Sequence, residues 1–169
     1  RYAQRLPFSM AAPRAPSPAL VNPPVPPARL ERIVRSLSEE RIVQTIADLQ
    51  DDEGSPGEDA LRSRYVLSAG LDVEAAYITR VLQQAGLAVT SFRSTAIDYA
   101  HGRREVSNII ATKPGLLPES EGVFIVCAHY DSTAAASPGW AEGWATMPAP
   151  GADDNGSGTA AVLEIARVL

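Results

Sequence analysis

The stretch "VFIVCAHYDS", Val123 to Ser132, constrains this chain more than any other. From Gly122 to His129 the text is almost unbroken apolar and β-branched residues. A strand apolar on both faces is expected at the centre of a sheet covered by helices, as in α/β proteins. The run then stops abruptly in His129, Tyr130 and Asp131. A second polar knot, "PGADDNGSG" from Pro150 to Gly158, follows and opens a helical pattern. The two knots pose one question: do they form one site?

Around them the periodicities are readable. Residues 1–28 are rich in Pro and Ala, with Pro13, Pro16, Pro18, Pro23, Pro24, Pro26 and Pro27 closely spaced, which reads as an extended tail or linker. From Arg29 to Gln50 the pattern is helical. Leu30, Ile33, Val34 and Leu37 recur at helical spacing, and Ser38 is an N-cap before Glu39 and Glu40. "DDEGSPGED" is a polar loop. A second helix is expected from Asp72, as N-cap, to Ala85, with Val73, Ala76, Tyr77, Val81 and Leu82 on one face and Gly86 at C′. Leu87–Phe92 and Ser107–Thr112 read as strands flanking the turn-like "YAHGRRE", and a last helix begins near Ser157. Helix, strands, buried strand, loop, helix is the order of an α/β sandwich.

A chain of 169 residues supports one core rather than two domains. Its formal charge of −5, with no basic block, argues against a nucleic-acid partner. No apolar run approaches the ~20 residues that cross a bilayer. The single cysteine, Cys127, excludes an internal disulfide framework and is expected to be inert packing in the buried strand. A start at Arg1 and an end in the uncapped "EIARVL" read as those of a fragment. The expected organisation is a tail over 1–28 and the N-terminal part of a domain over 29–169.

Functional groups in open α/β sheets collect at the carboxyl ends of strands. His129 there can ligate zinc, while Asp131 accepts its other N–H and fixes the ring. Asp153 and Asp154 offer hard oxygen ligands, and a carboxylate can bridge two ions. Each knot also has a plainer reading. A histidine at a strand end can be a hydrogen-bonded structural residue, and "DDNGSG" can be an Asx-rich helix cap.

Taken together, "AHYDS" followed by "PGADDNGSGTAAVLEIARVL" resembles the co-catalytic zinc aminopeptidases, the family of bacterial leucyl aminopeptidases and glutamate carboxypeptidases. "SRYVLSAGLDVEAAYITRVLQQAGLAV" and "SNIIATKPG" are similar to the family's early helix and its next strands, so the resemblance runs from about Leu30 to Leu169. It implies a three-layer α/β sandwich with a mixed, mostly parallel central sheet, truncated here after its first half. It implies that His129 and Asp154 are metal ligands, Asp154 bridging two zinc ions, and that Asp131 is the catalytic-site carboxylate orienting His129. Asp153 would support the loop. The family's cis peptide would join Asp154 to Asn155.

The function implied is a metal-dependent exopeptidase, in which a di-zinc-activated water hydrolyses the N-terminal bond of peptide substrates. The family's general base, a glutamate, and its remaining ligands lie beyond the text given, so this chain alone is expected to be inactive. His101 is expected to be exposed or to serve the turn. Trp140 and Trp144 would either line a substrate pocket or clamp their loop. Alternatives are a single-zinc glutaminyl-cyclase-like transferase and a non-catalytic receptor-like relative. The resemblance and the Pro-rich leader imply secretion or the cell envelope.

Overall fold

The computed structural model describes residues 26–50, 63–115 and 122–169. Most of the expected tail and the loop expected over 51–59 lie outside them. Helix α1 (Pro27–Ser36) starts with proline at its first helical position, where the missing N–H costs nothing. Its apolar stripe stays open to solvent: Leu30 is 55% and Val34 57% exposed. Helix α2 (Glu39–Asp48) begins as the sequence implies. Ser38 Oγ accepts from the Arg41 N–H at 3.1 Å, with Glu39 and Glu40 in the first turn.

Helix α3 (Gly70–Gln84) starts two residues ahead of the expected N-cap. Asp72 is therefore inside the first turn, where it pairs with Arg104 of the following hairpin instead of capping. The shift also corrects the buried face. Leu71, Glu74, Ile78, Val81 and Leu82 are buried and Tyr77 half-buried, while Val73 and Ala76 point outward. Gly86, at φ +78°, ends the helix in the left-handed region, as expected.

Strands β1 (Ala88–Asp98) and β2 (Gly102–Thr112) form one antiparallel hairpin, registered from Ala88 opposite Thr112 to Asp98 opposite Gly102. Both expected strands are present and longer than expected. One face of the hairpin, through Val89, Ile109 and Ala111, packs on the core of Leu49, Ile78, Val81, Leu82 and Leu163. After the short α4 (Trp140–Gly143) and an irregular turn, Ala152–Ser157, helix α5 (Gly158–Val168) adds Leu163 to that core and Ala160 to the buried set. Burying a leucine of this kind contributes about 1.5–3 kcal/mol.

One polar tie runs through this interior. Glu164 of α5 is 1% exposed and accepts from the Ser38 N–H at 2.8 Å and from Arg41 Nη2 at 2.5 Å. Hydrogen bonds from Arg41 hold its carboxyl below the ordinary glutamate range. The tie fixes the start of α2 against α5, which is the helix leaving the second polar knot.

The α/β composition agrees with the sequence. Among the described residues, however, the sheet is two-stranded and antiparallel, with no parallel pairing of strands. Val123–Val126, expected as the buried central strand, has no regular secondary structure. Phe124 is 89% exposed, and Cys127 is exposed rather than packed away. The physical reason is local: the hairpin's two strands satisfy each other, and no further described strand pairs with this run. A cleft of about 430 Å³, lined by Ile78, Ile109, Val126 and Leu163 among others, lies between the run and the core.

Candidate metal centre

Although Val123–Val126 is uncovered, the polar residues after it are held firmly. The Thr159 hydroxyl at the start of α5, itself buried, donates to the His129 carbonyl at 3.0 Å. The Tyr130 hydroxyl donates to the Ser107 carbonyl of β2 at 2.6 Å. Burial, with the charges of Asp72 and Asp131, pushes that phenol above its ordinary range. His129 is thus anchored from both sides, on a helix start and on the hairpin.

The two knots meet through a third segment. Ser63 pairs with Ala149 and Tyr65 with Ser132 as isolated parallel bridges. The Arg64 N–H donates to the Ala149 carbonyl at 3.1 Å, and the Ser132 N–H donates to the Arg64 carbonyl at 2.9 Å. The Ser132 hydroxyl closes the arrangement by donating to Ala149 O. One three-residue stretch therefore joins the segment leaving His129 to the segment entering Asp154.

Asp154 projects from a turn whose backbone leaves the helical region, at φ −107° and ψ 94°, and its peptide bond to Asn155 is cis, as the resemblance implied. The Gly156 N–H donates to the Gly151 carbonyl at 3.0 Å, and Asn155 Oδ1 accepts from the Gly158 N–H at 3.0 Å. Gly151 has φ +56°. A β-carbon there would overlap Ser132 Cβ and stand 2.5 Å from the Asp154 carbonyl oxygen. Only glycine fits this close approach of the two knots.

The outcome is a short constellation at the surface. His129 Nδ1 lies 3.1 Å from Asp131 Oδ1, and His129 Nε2 lies 3.0 Å from Asp154 Oδ1. All three side chains reach solvent, Asp154 most of all at 85% exposed. If Nδ1–H donates to Asp131, the Nε2 lone pair faces a carboxylate oxygen. Two acceptors so close need a shared cation, a proton or a metal ion, between them. Two donors on a tetrahedral zinc stand about 3.3 Å apart when each is 2.0–2.1 Å from the ion, so the pair fits such an ion with little movement. Imidazole nitrogen and carboxylate oxygen are also the donor types zinc takes. Among the described residues no group of three or more His, Cys, Asp or Glu side chains forms a metal cage by itself. Asp153 is exposed, and its carbonyl accepts from the Ser157 hydroxyl at 2.9 Å.

His101 serves the turn, at the tip of the hairpin. Its Nδ1 lies 3.0 Å from the Tyr65 hydroxyl, and its Nε2 lies 3.1 Å from the Ala141 carbonyl. Trp140, 4% exposed, packs edge-on against Tyr65 with ring centroids 5.1 Å apart, and Trp144 at 5.3 Å. Of the two roles open to them, clamping the loop is the one this packing performs. Arg64, Ser132 and Thr159 were given no role from the sequence. Ser132 and Thr159 lie within the quoted motifs, but nothing local marks their hydrogen bonds, and Arg64 carries no local signal.

The model of peptidase family M28 matches residues 108–169, which include both knots. Leucine aminopeptidase 1 of Trichophyton rubrum is 41% identical over 95 residues, covering 56% of this chain and 21% of the relative. The protein of the same name from Ajellomyces capsulatus is 36% identical over 92 residues, 54% of this chain and 20% of the relative. That from Pyrenophora teres f. teres is 38% identical over 92 residues, with the same two shares. The chain thus spans about a fifth of the length of the curated relatives it matches. Over residues 108–169, where His129 and Asp154 are brought within 3.0 Å of each other, the chain is thus similar to peptidase family M28.

Proposed function

We propose that the protein carrying this chain is a zinc-dependent aminopeptidase that removes the N-terminal residue of peptides. His129 and Asp154 would be ligands, with Asp154 bridging two zinc ions. The observation that carries the reading is the approach of Nε2 and Oδ1 to 3.0 Å with Asp131 behind Nδ1. The family match and the names of the relatives support it.

Each residue has a definable task. Asp131 accepts a hydrogen bond from Nδ1–H, which fixes the ring and leaves the Nε2 lone pair for the metal. Asp154 supplies a carboxylate from a turn that Gly151 lets approach. Thr159 and Tyr130 hold the backbone of His129 and the residue after it. When bound, the zinc ions supply Lewis acidity and a water of lowered pKa. The general base and further ligands are part of the proposal as residues outside the pair described.

The same proposal makes Val123–Val126 the central strand of a three-layer, mostly parallel sheet in the intact protein, which its exposed apolar run supports. The division into a tail over 1–28 and a catalytic domain from 29, and export to the cell envelope or medium, belong to it as well. Among the described residues no helix is long and apolar enough to cross a membrane.

The test is hydrolysis of leucine anilide by the intact protein before and after chelation, with zinc restored in measured equivalents. Activity lost on chelation and regained at two equivalents is expected. No anilide hydrolysis, with cyclisation of N-terminal glutamine restored at one equivalent, would favour the transferase. Metal binding without any turnover would favour a non-catalytic relative.

A further inference from the structure

Arg64 is among the most deeply buried side chains described, at 2% exposed, and it lies under the turn that presents Asp154. Its Nη2 donates to the Gly151 carbonyl at 2.5 Å, the same carbonyl that accepts from the Gly156 N–H. A β-carbon placed on Gly156 would meet Nη2 at 3.2 Å and Nη1 at 3.3 Å, and one on Gly151 would meet Nη2 at 2.9 Å. The guanidinium thus fills the concave side of the Gly151–Gly156 turn. Its own backbone meanwhile ties Ala149, ahead of that turn, to Ser132, just after Asp131.

A buried cation is costly, and this one is only partly compensated by hydrogen bonding. Nε and Nη1 have no hydrogen-bond partner among the described residues. Burial lowers the guanidinium's pKa, while the charges of Glu74 and Asp131 favour its cationic form. A methionine or leucine would pack such a place at less cost, but neither could donate to a carbonyl. What arginine adds is a rigid planar donor, held by its backbone to one knot and by its side chain to the other.

We infer that Arg64 is a positioning residue for the metal pair: by bracing the Gly151–Gly156 turn against Ser132 it sets the distance of Asp154 from His129. The inference rests on the metal-site reading above. It predicts that Arg64 acts on metal affinity through a preorganised turn, while touching neither metal nor substrate.

The experiment compares the intact wild-type protein with Arg64→Met and Arg64→Lys, after circular dichroism has established which variants fold. Two readouts are taken. Zinc affinity is measured by competition with a chromophoric chelator, and amide hydrogen exchange over 151–157 is measured in the metal-free protein. In Arg64→Met we expect zinc affinity to fall about 10–100-fold, the range for residues that orient ligands, and exchange at Gly156 to quicken. Arg64→Lys, which keeps charge and one donor, should recover part of both effects. If Arg64→Met does not fold, Arg64→Lys decides, with an expected loss of several-fold in affinity. Unchanged affinity and unchanged exchange in a folded variant overturn the inference. A wild-type protein that binds no zinc overturns the metal reading itself, and the inference with it. The two failures are therefore told apart by the wild-type titration.

Discussion

The hydroxyl of Tyr65 donates to Asp98 Oδ2 at 2.5 Å, fastening the tip of the β1–β2 hairpin to the segment that joins the two halves of the candidate site. That bond first, then the Ala100 and His101 amides, hold the Asp98 carboxyl down at about 2. Its folded pKa is therefore depressed. The stability it contributes is present above the ordinary aspartate value of about 3.9 and is lost as the pH falls towards 2. In Tyr65→Phe the Asp98 pKa should rise from about 2 part of the way to the ordinary value, because the two amides still donate. An NMR titration of the Asp98 carboxyl reads this directly. The acid-unfolding midpoint should move to higher pH in parallel, and an unmoved Asp98 titration would show that the tyrosine is not the cause.

Glycine at 151 and glycine at 139 should respond differently to the same change. Both have positive φ, +56° and +82°, so alanine at either costs about 1–2 kcal/mol in backbone strain. At Gly139 a β-carbon meets nothing within 4 Å, and the loss should stop there. At Gly151 it meets Ser132 and the Asp154 carbonyl, so Gly151→Ala should destabilise more and weaken zinc binding as well. Denaturant melts of the two variants, with a zinc titration, check the ordering.

Arg41→Met tests the tie between α2 and α5. It leaves Glu164, 1% exposed, with the Ser38 amide at 2.8 Å and Arg167 at 3.4 Å. Glu164's folded pKa is depressed, chiefly by hydrogen bonds from Arg41. Its stabilising effect is therefore full above the ordinary glutamate value of 4.5 and is lost as the pH falls through the lowered one. The variant should melt several degrees below wild type at pH 7, and the gap should close as the pH is taken below 4.5. A gap that stays constant with pH would point to lost packing of the arginine stem.

How legible was all this in the text? The meeting of His129 and Asp131 with the second knot was legible because each knot is short and polar against an apolar or helical background, while the choice of Asp154 over Asp153 came from the resemblance and not from the residues themselves. Ser38 and Gly86 were legible because caps depend on a few neighbouring residues. Only the first part of the α3 face was misread, Val73 and Ala76 in place of Leu71 and Glu74, because Asp72 is as good a first-turn residue as it is a cap and taking it as the cap left Leu71 outside the helix. Tyr77, Val81 and Leu82 face inward as expected. The exposure of Val123–Val126 could not be read at all: burial of a strand is a property of its neighbours. Arg64 was hidden for the same reason. Nothing in "SRYV" distinguishes a guanidinium under a turn from one in solvent, since its partners are Ala149, Gly151 and Ser132, all distant in sequence.

The choice of Asp154 over Asp153 as ligand can be tested together with the role of Asp131. Asp154 Oδ1 is the oxygen that stands 3.0 Å from His129 Nε2, while Asp153 joins its loop through its backbone carbonyl. Asp154→Asn replaces a charged oxygen ligand with a weak neutral one, and zinc binding should be lost. Asp153→Asn, at the adjacent position, should bind zinc within a few-fold of wild type. Asp131→Asn keeps an oxygen able to accept from Nδ1–H but removes the charge that makes the ring a stronger donor to the metal. A fall of about 10–100-fold in affinity is expected, with the fold unchanged. Asp131→Ala, which leaves Nδ1 only the backbone carbonyl of residue 131 at 3.1 Å, should fall further. If Asp153→Asn abolishes binding and Asp154→Asn does not, the two aspartates exchange roles, and the 3.0 Å pair is then an ordinary surface contact rather than half of a metal site.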